Sequence, residues 1–209
     1  VASMCGKVRH AVAAREAGCD LVIAQGTEAG GHTGTVATMP LVPQIVDAVG
    51  ADIPVVAAGG IFDGRGLAAA LALGADGVWV GTRFIATPEA NTGRGFKDAL
   101  VRSREDDTVI SKGFSGKPMR VVRNEVATHF EQHPEELKPF PDQLLAAVEG
   151  GWLHLGANED TPGVDPAREC FPAGQAVGGI DALVPAGEIV VRMVEEAEAA
   201  LRGAAATIV

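Results

Sequence analysis

Cysteine is scarce in this chain, and its pattern excludes two architectures. The 209 residues hold three cysteines, Cys5, Cys19 and Cys170. An odd number without the paired spacing of a zinc site argues against both a metal knuckle and a disulfide-stapled scaffold, and reduced thiols in a cytoplasmic setting are the expectation. Long hydrophobic runs are missing too. No stretch approaches the roughly 20 apolar residues of a membrane helix, so no bilayer span is expected. Clustered positive charge is the third absence. The chain sets 27 acids against 17 bases for a formal charge of −10, with no Lys/Arg stripe and no basic-aromatic interleaving, so nucleic acid is not an expected partner. What is present is a composition 47% hydrophobic, enough for one sizeable core.

Glycine organises that core into repeated units. Gly18-Cys19-Asp20-Leu21-Val22, Gly50-Ala51-Asp52-Ile53 and Gly74-Ala75-Asp76-Gly77-Val78 each close a helical stretch and open an apolar run. Glycine suits the left-handed position just past a helix end. The apolar runs 21–24, 55–58 and 78–80 are too continuous for a strand wetted on one face, and they read as parallel strands buried on both sides. Stretches at 7–17, 39–49 and 64–73, the first and last rich in alanine, supply the intervening helices. The expected order is strand 1–4, helix, strand 21–25, helix, strand 54–58, helix, strand 77–80, helix.

The ends of these strands carry the chemistry. Glu28-Ala29-Gly30-Gly31-His32-Thr33-Gly34 follows the strand Leu21-Val22-Ile23-Ala24-Gln25, and so presents bare backbone amides beside an imidazole that trades protons near neutrality. Ala57-Ala58-Gly59-Gly60-Ile61 leaves the next strand and runs through Asp63-Gly64-Arg65-Gly66 into a helix, and Gly81-Thr82-Arg83-Phe84 leaves the one after. Amides at such turns suit an anion, and in (β/α)₈ barrels the phosphate site falls after strands seven and eight. On that count the His32 loop follows strand six. Four parallel strands cannot close a barrel, so the expectation is a TIM (β/α)₈ barrel of which this chain carries about the second half, strands 5–8. The first half then precedes Val1 or lies in another chain, and an open sheet is the other reading of four such strands.

These motifs, in order, resemble the nitronate monooxygenase family, also called 2-nitropropane dioxygenase-like. The resemblance is dense over residues 1 to about 90, and Gly174-Gln175 with Pro185-Ala186-Gly187-Glu188-Ile189-Val190 resembles the family's C-terminal end, whereas 90–170 matches loosely. The resemblance implies FMN, with Gln25, Gly30 and Gly31 against the flavin, Gly59, Gly60, Gly81 and Thr82 around its phosphate, and His32 as the catalytic acid-base residue. Met4 departs from members that place lysine near that strand end. The implied reaction is oxidation of alkyl nitronates by O₂ to a carbonyl compound and nitrite. Two alternatives stay open: an FMN-dependent NAD(P)H reductase of an enoyl thioester, and an inactive half-barrel binding module. Oligomeric state is open as well, a homodimer included.

Other residues carry less. His129 and His133 stand at i, i+4 but lack the third ligand that a metal requires, and no metal is expected. His10 and His154 have no partner pattern. Arg83 suits either a phosphate contact or an ion pair at the strand end, Asp63 and Arg65 suit a loop-bracing pair, and Cys5 lacks a visible activating base. Residues 1–92 are assigned to the barrel, 93–184 to an inserted or lid region broken up by prolines, and 185–209 to a terminal helix packing on the barrel. Within the middle region 96–104 is expected to be helical, 114–123 an excursion, and 171–182 a short helix. Trp152, Phe114 and Phe171 are candidates for a pocket wall, with core packing the plainer reading.

Overall fold

The computed structural model describes residues 1–207, so the last two positions of the expected terminal helix lie outside the described residues. In chain order the elements are β1 (Ala2–Cys5), α1 (Val8–Glu16), β2 (Leu21–Gln25), β3 (Gly31–His32), α2 (Thr38–Val49), β4 (Val55–Ala58), α3 (Gly64–Ala72), β5 (Gly77–Trp79), α4 (Thr82–Ile85), α5 (Arg94–Arg102), β6 (Thr108–Ser111), β7 (Met119–Val122), α6 (Glu125–Gln132), α7 (Asp142–Glu149) and α8 (Ala186–Ala205). They fall into two compact units. The first comprises 1–28, 34–80 and 184–209, and the second 29–33 and 81–183.

The first unit is α/β with a parallel sheet in the uninterrupted order β1-β2-β4-β5. Register aligns Cys5, Ala24, Ala57 and Val78 in one row and Met4, Ile23, Val56 and Gly77 in the next. Side chains alternate faces along a strand. One face buries Cys5, Val22, Ala24, Val55 and Ala57 with Ala11, Leu41, Val42, Ile45 and Val49 from α1 and α2. The opposite face carries Met4 and Trp79, which are 48% and 55% exposed. The helix-to-strand junctions follow the glycine pattern with one exception. Gly18 and Gly74 adopt positive φ (83° and 91°), whereas Gly50 stays right-handed at φ −64°. At the last junction the Asp76 carboxylate accepts from Val55 N at 2.8 Å, and Val55 O accepts from Asp76 N at 2.8 Å, which ties the turn to the neighbouring strand.

Helix α8 packs on α3. The chain buries Ile189, Met193 and Ala197 from α8, and Gly64 of α3 lies close against that helix. A Cβ there would lie 2.4 Å from Met193 O and from Glu196 Cβ, while the Glu196 carboxylate accepts from Gly64 N at 2.9 Å. Asp63 caps α3 through Gly66 N and also takes the Arg65 guanidinium, so this pair does brace the loop.

The second unit contains a sheet that the sequence reading did not anticipate. β3, β7 and β6 pair antiparallel in the order β3-β7-β6, so part of the expected loop around His32 and part of the expected excursion at 114–123 are strands. Its core gathers Phe114, Met119, Val121, Val126, Ala127, Ala147, Leu153 and Cys170. The helix expected at 96–104 begins two residues earlier, at Arg94. The short helix expected at 171–182 is a 3₁₀ turn over Gln175–Gly179. Asn124 caps α6, its side chain accepting from Ala127 N, and α6 and α7 fit between prolines because each runs only eight residues. Among the described residues no helix is long and apolar enough to cross a membrane.

Gly64→Ala is expected to destabilise the first unit by about 1–3 kcal/mol, the usual cost of forcing a methyl into a packed contact. Urea unfolding at equilibrium checks this, and an unchanged midpoint would show that α8 yields freely.

Candidate functional site

In the first unit, strand pairing brings three of the expected cofactor residues together. Gln25 ends β2 opposite Ala58 of β4, and Gly26 N donates to Ala58 O at 2.9 Å. Gln25 therefore stands beside the turn made by Gly59 and Gly60, whose φ values are 107° and 74°. Both conformations are ones that side chains disfavour. Residues that sequence reasoning passed over hold this turn in place. The Glu28 carboxylate accepts from Thr38 N at 2.9 and 3.1 Å and from Thr38 Oγ1 at 2.9 Å, and Thr38 Oγ1 lies 3.1 Å from Gly59 O. A carboxylate at the first turn of α2 also suits the helix dipole. Gly26 leaves room for this network, since a Cβ there would fall 2.0 Å from Thr38 Oγ1.

In the second unit, Gly30 and Thr82 meet one backbone segment, Ala173-Gly174. A Cβ on Gly30 would lie 2.7 Å from the Ala173 and Gly174 backbone. The close approach there is to protein. At Gly31, with φ +76°, an added methyl would meet only Pro172 Cβ, at 4.0 Å, and at Gly81 it would meet nothing within 4 Å, so both backbones face open space. Thr82 Oγ1 accepts from Gly174 N at 3.0 Å, which fixes the hydroxyl oxygen and leaves its hydrogen free to donate. Arg83 is buried, with its guanidinium on Ala86 O and Ala182 O at 2.6 Å each. It fastens the segment after Gly81 to backbone carbonyls of its own unit.

His32 is placed by β3. Its backbone lies opposite Met119 of β7, Thr33 N donates to Pro118 O, and its Nε2 is 2.8 Å from Ser115 Oγ. Burial, and then the nearby positive charge of Lys117, hold the imidazole pKa below its ordinary value of 6.5. The ring is therefore neutral at physiological pH, with one nitrogen protonated and the other a lone pair. Ser115, one of the most deeply buried polar residues at 1% exposure, was not singled out from sequence. Its only sequence sign is the Phe114-Ser115-Gly116 turn.

The remaining candidates meet other partners. His129 and His133 bind Glu136 and Glu135, at 2.8 and 3.4 Å, on the surface. His154, which had no partner in sequence, donates through its backbone N to Glu169 at 3.0 Å and places Nδ1 2.6 Å from the same carboxylate. Cys5 is fully buried, and burial raises its thiol pKa. Burial pushes Cys170 up to about 12, so neither thiol is a ready nucleophile. Phe114 and Phe171 are core aromatics, the latter stacked on Phe96 at 4.6 Å.

The family profile of nitronate monooxygenase matches residues 1–196. A Mycobacterium tuberculosis protein described as a monooxygenase is 45% identical over 199 residues, covering 94% of this chain and 52% of that protein. A Staphylococcus aureus protein that carries the name nitronate monooxygenase is 40% identical over 166 residues, covering 74% of this chain and 46% of that protein. The chain thus spans about half the length of the curated relatives it matches. Among solved structures, FabK from Thermotoga maritima superposes with a TM-score of 0.87 at 35% identity, over all of this chain and 64% of that one. Nitroalkane oxidase from Streptomyces ansochromogenes gives 0.77 at 32% identity, over 97% and 58%. The chain belongs to the nitronate monooxygenase family, a family of oxidoreductases.

Proposed function

We propose that this chain supplies the acid-base residue and part of the FMN site of an enzyme that oxidises alkyl nitronates with O₂ to a carbonyl compound and nitrite. The observation that carries the reading is His32, a neutral imidazole pinned by a strand pair and a buried serine beside a bare glycine backbone. The family match and the nitroalkane oxidase likeness support the substrate class.

Taken within its own unit, each glycine turn suits close approach by a flat or anionic group. Gly31 and Gly81 turn open backbone outward, Gly59 and Gly60 hold conformations that only glycine adopts readily, and Thr82 keeps a hydroxyl hydrogen to donate. In this reading Gln25, Gly30 and Gly31 serve the flavin, with Gly30 acting through its packing on Ala173 and Gly174, and Gly59, Gly60, Gly81 and Thr82 serve the phosphate. FMN, when bound, supplies the electron transfer. His32 orients the anionic substrate by donating to one of its oxygens and exchanges a proton there. The parallel sheet is proposed as strands 5–8 of a (β/α)₈ barrel. Its strand order never reverses, as a doubly wound sheet would require, and Met4 and Trp79 mark an apolar face suited to the barrel interior. Residues 93–184 then form the lid region, and a cytoplasmic setting suits the free thiols.

The likeness to FabK favours a second reading, an FMN-dependent NAD(P)H reductase of an enoyl thioester. The two separate cleanly: oxygen uptake with nitrite release marks the first, and rapid flavin bleaching by NAD(P)H marks the second.

His32→Ala, with its FMN content intact, is expected to lose nitronate turnover by about 10²–10⁴, the span of general acid-base assistance. Nitrite release measures this, and full turnover in the variant removes His32 from the mechanism. By NMR titration His32 is expected to titrate below 6.5. Lys117→Met should move the midpoint upward only in part, because burial, the larger cause, remains. A midpoint above 6.5 in the wild type would contradict the neutral-imidazole reading.

A further inference from the structure

Ser115 sits in the turn between β6 and β7, where Ser115 N and Gly116 N both donate to Lys112 O. Gly116 takes φ +78°, and a Cβ on it would lie 2.6 Å from Phe140 N, so the turn has no slack. Three groups surround the serine oxygen. His32 Nε2 is at 2.8 Å, Lys117 N donates to it at 3.3 Å, and Lys117 O lies at 3.4 Å. A hydroxyl has one hydrogen to give. Oxygen donors prefer partners inside about 3.0 Å, which favours Nε2 over the distant carbonyl. The Lys117 amide, donating to the same oxygen, occupies one of its lone pairs.

We propose that Ser115 is the positioning residue of His32: its hydroxyl donates to Nε2 and thereby holds the neutral ring as the Nδ1–H tautomer, leaving Nδ1–H as the group offered to the ligand. The inference rests on the reading of His32 as the acid-base residue. Nδ1 meets no hydrogen-bond partner among the described residues of this unit, and the side chain is more than a third exposed, so the donor is accessible. The charged groups around the ring agree with a neutral state. Lys117 lies close enough to lower its pKa, and Arg120, opposite Gly31 on β7, places its guanidinium on Thr108 Oγ1 at 3.2 Å. Among the described residues no carboxylate shifts the ring toward imidazolium. A fixed N–H aimed where negative charge gathers on oxygen costs no reorganisation when the charge develops. An unheld imidazole would spend much of its time as the other tautomer, with a lone pair facing that oxygen.

The test is long-range ¹H–¹⁵N NMR on flavin-loaded protein labelled at histidine, read above the His32 midpoint. The expected pattern is a protonated Nδ1 and a bare Nε2. Ser115→Ala should shift the tautomer balance toward Nε2–H and lower kcat for nitronate about ten-fold with KM little changed, and Ser115→Thr, which keeps the hydroxyl, should restore both. A wild-type ring protonated at Nε2 overturns the proposal, and this holds even if Ser115→Ala fails to fold. An unchanged tautomer and kcat in a folded Ser115→Ala protein overturns it as well. Full activity in His32→Ala would instead defeat the acid-base reading, while leaving the tautomer measurement to stand on its own.

Discussion

The placement of the imidazole depends on a strand of two residues. Gly31 and His32 pair with Arg120 and Met119, and nothing else in the sequence between Gly26 and Thr38 forms regular structure. So short a strand has little stability of its own. It is held because Gly30 lies flush on Ala173 and Gly174, where any side chain would collide, and because Thr33 N continues the pairing to Pro118 O. Gly174 in turn donates to Thr82 Oγ1. One backbone segment, 172–174, thus serves both the histidine strand and the start of α4. The glycines of this motif divide the labour: Gly30 permits protein to approach protein, and Gly31 permits the turn that leaves backbone open.

The parallel sheet was legible because several levels of the sequence agreed on it. Buried runs such as Val22-Ile23-Ala24, stretches of helical length between them and glycine at the junctions all point to the same alternation, and strand limits moved by a residue at most, as at Trp79. The glycine at position 50 shows the limit of the rule. Its helix ends without a left-handed residue, so the same letter marks a junction without doing the same work there.

The antiparallel sheet was illegible for a reason that lies in its side chains. In β6 the polar Thr108 and Ser111 are buried and Ile110 is exposed, the inverse of the alternation that signals a half-buried strand. Thr108 turns inward because it receives the Arg120 guanidinium, itself buried in β7. A polar pair satisfied across two strands removes the hydrophobic period from both. Much of the support around the expected site residues was hidden in the same way. His32 and the glycines announce themselves by type and spacing, but Glu28 reaches Thr38 ten residues on, and Ser115 reaches His32 across 83. Pairings at such separations leave no local pattern to read.

The same principle orders the proline-rich stretch of the second unit, which contains little regular structure between α7 and the 3₁₀ turn at Gln175. Glu169 is only 2% exposed, and a buried carboxylate is tolerable only when its oxygens are met by donors. One oxygen accepts from His154 N and the other lies on His154 Nδ1, while the Glu169 carbonyl accepts from Asn124 Nδ2, the residue that also caps α6. Cys170 N donates to Trp152 O beside this pair. A loop of this length would ordinarily be expensive to order, since each residue fixed gives up backbone entropy. Glu169 and Asn124 join the segment to His154 and to α6. From that anchor the chain runs directly into Phe171, which stacks on Phe96 and whose carbonyl accepts from Val122 N, and then into the 172–174 backbone on which Gly30 and Thr82 rest. The segment beside the histidine strand thus continues directly from a buried acid that takes no part in the proposed proton chemistry.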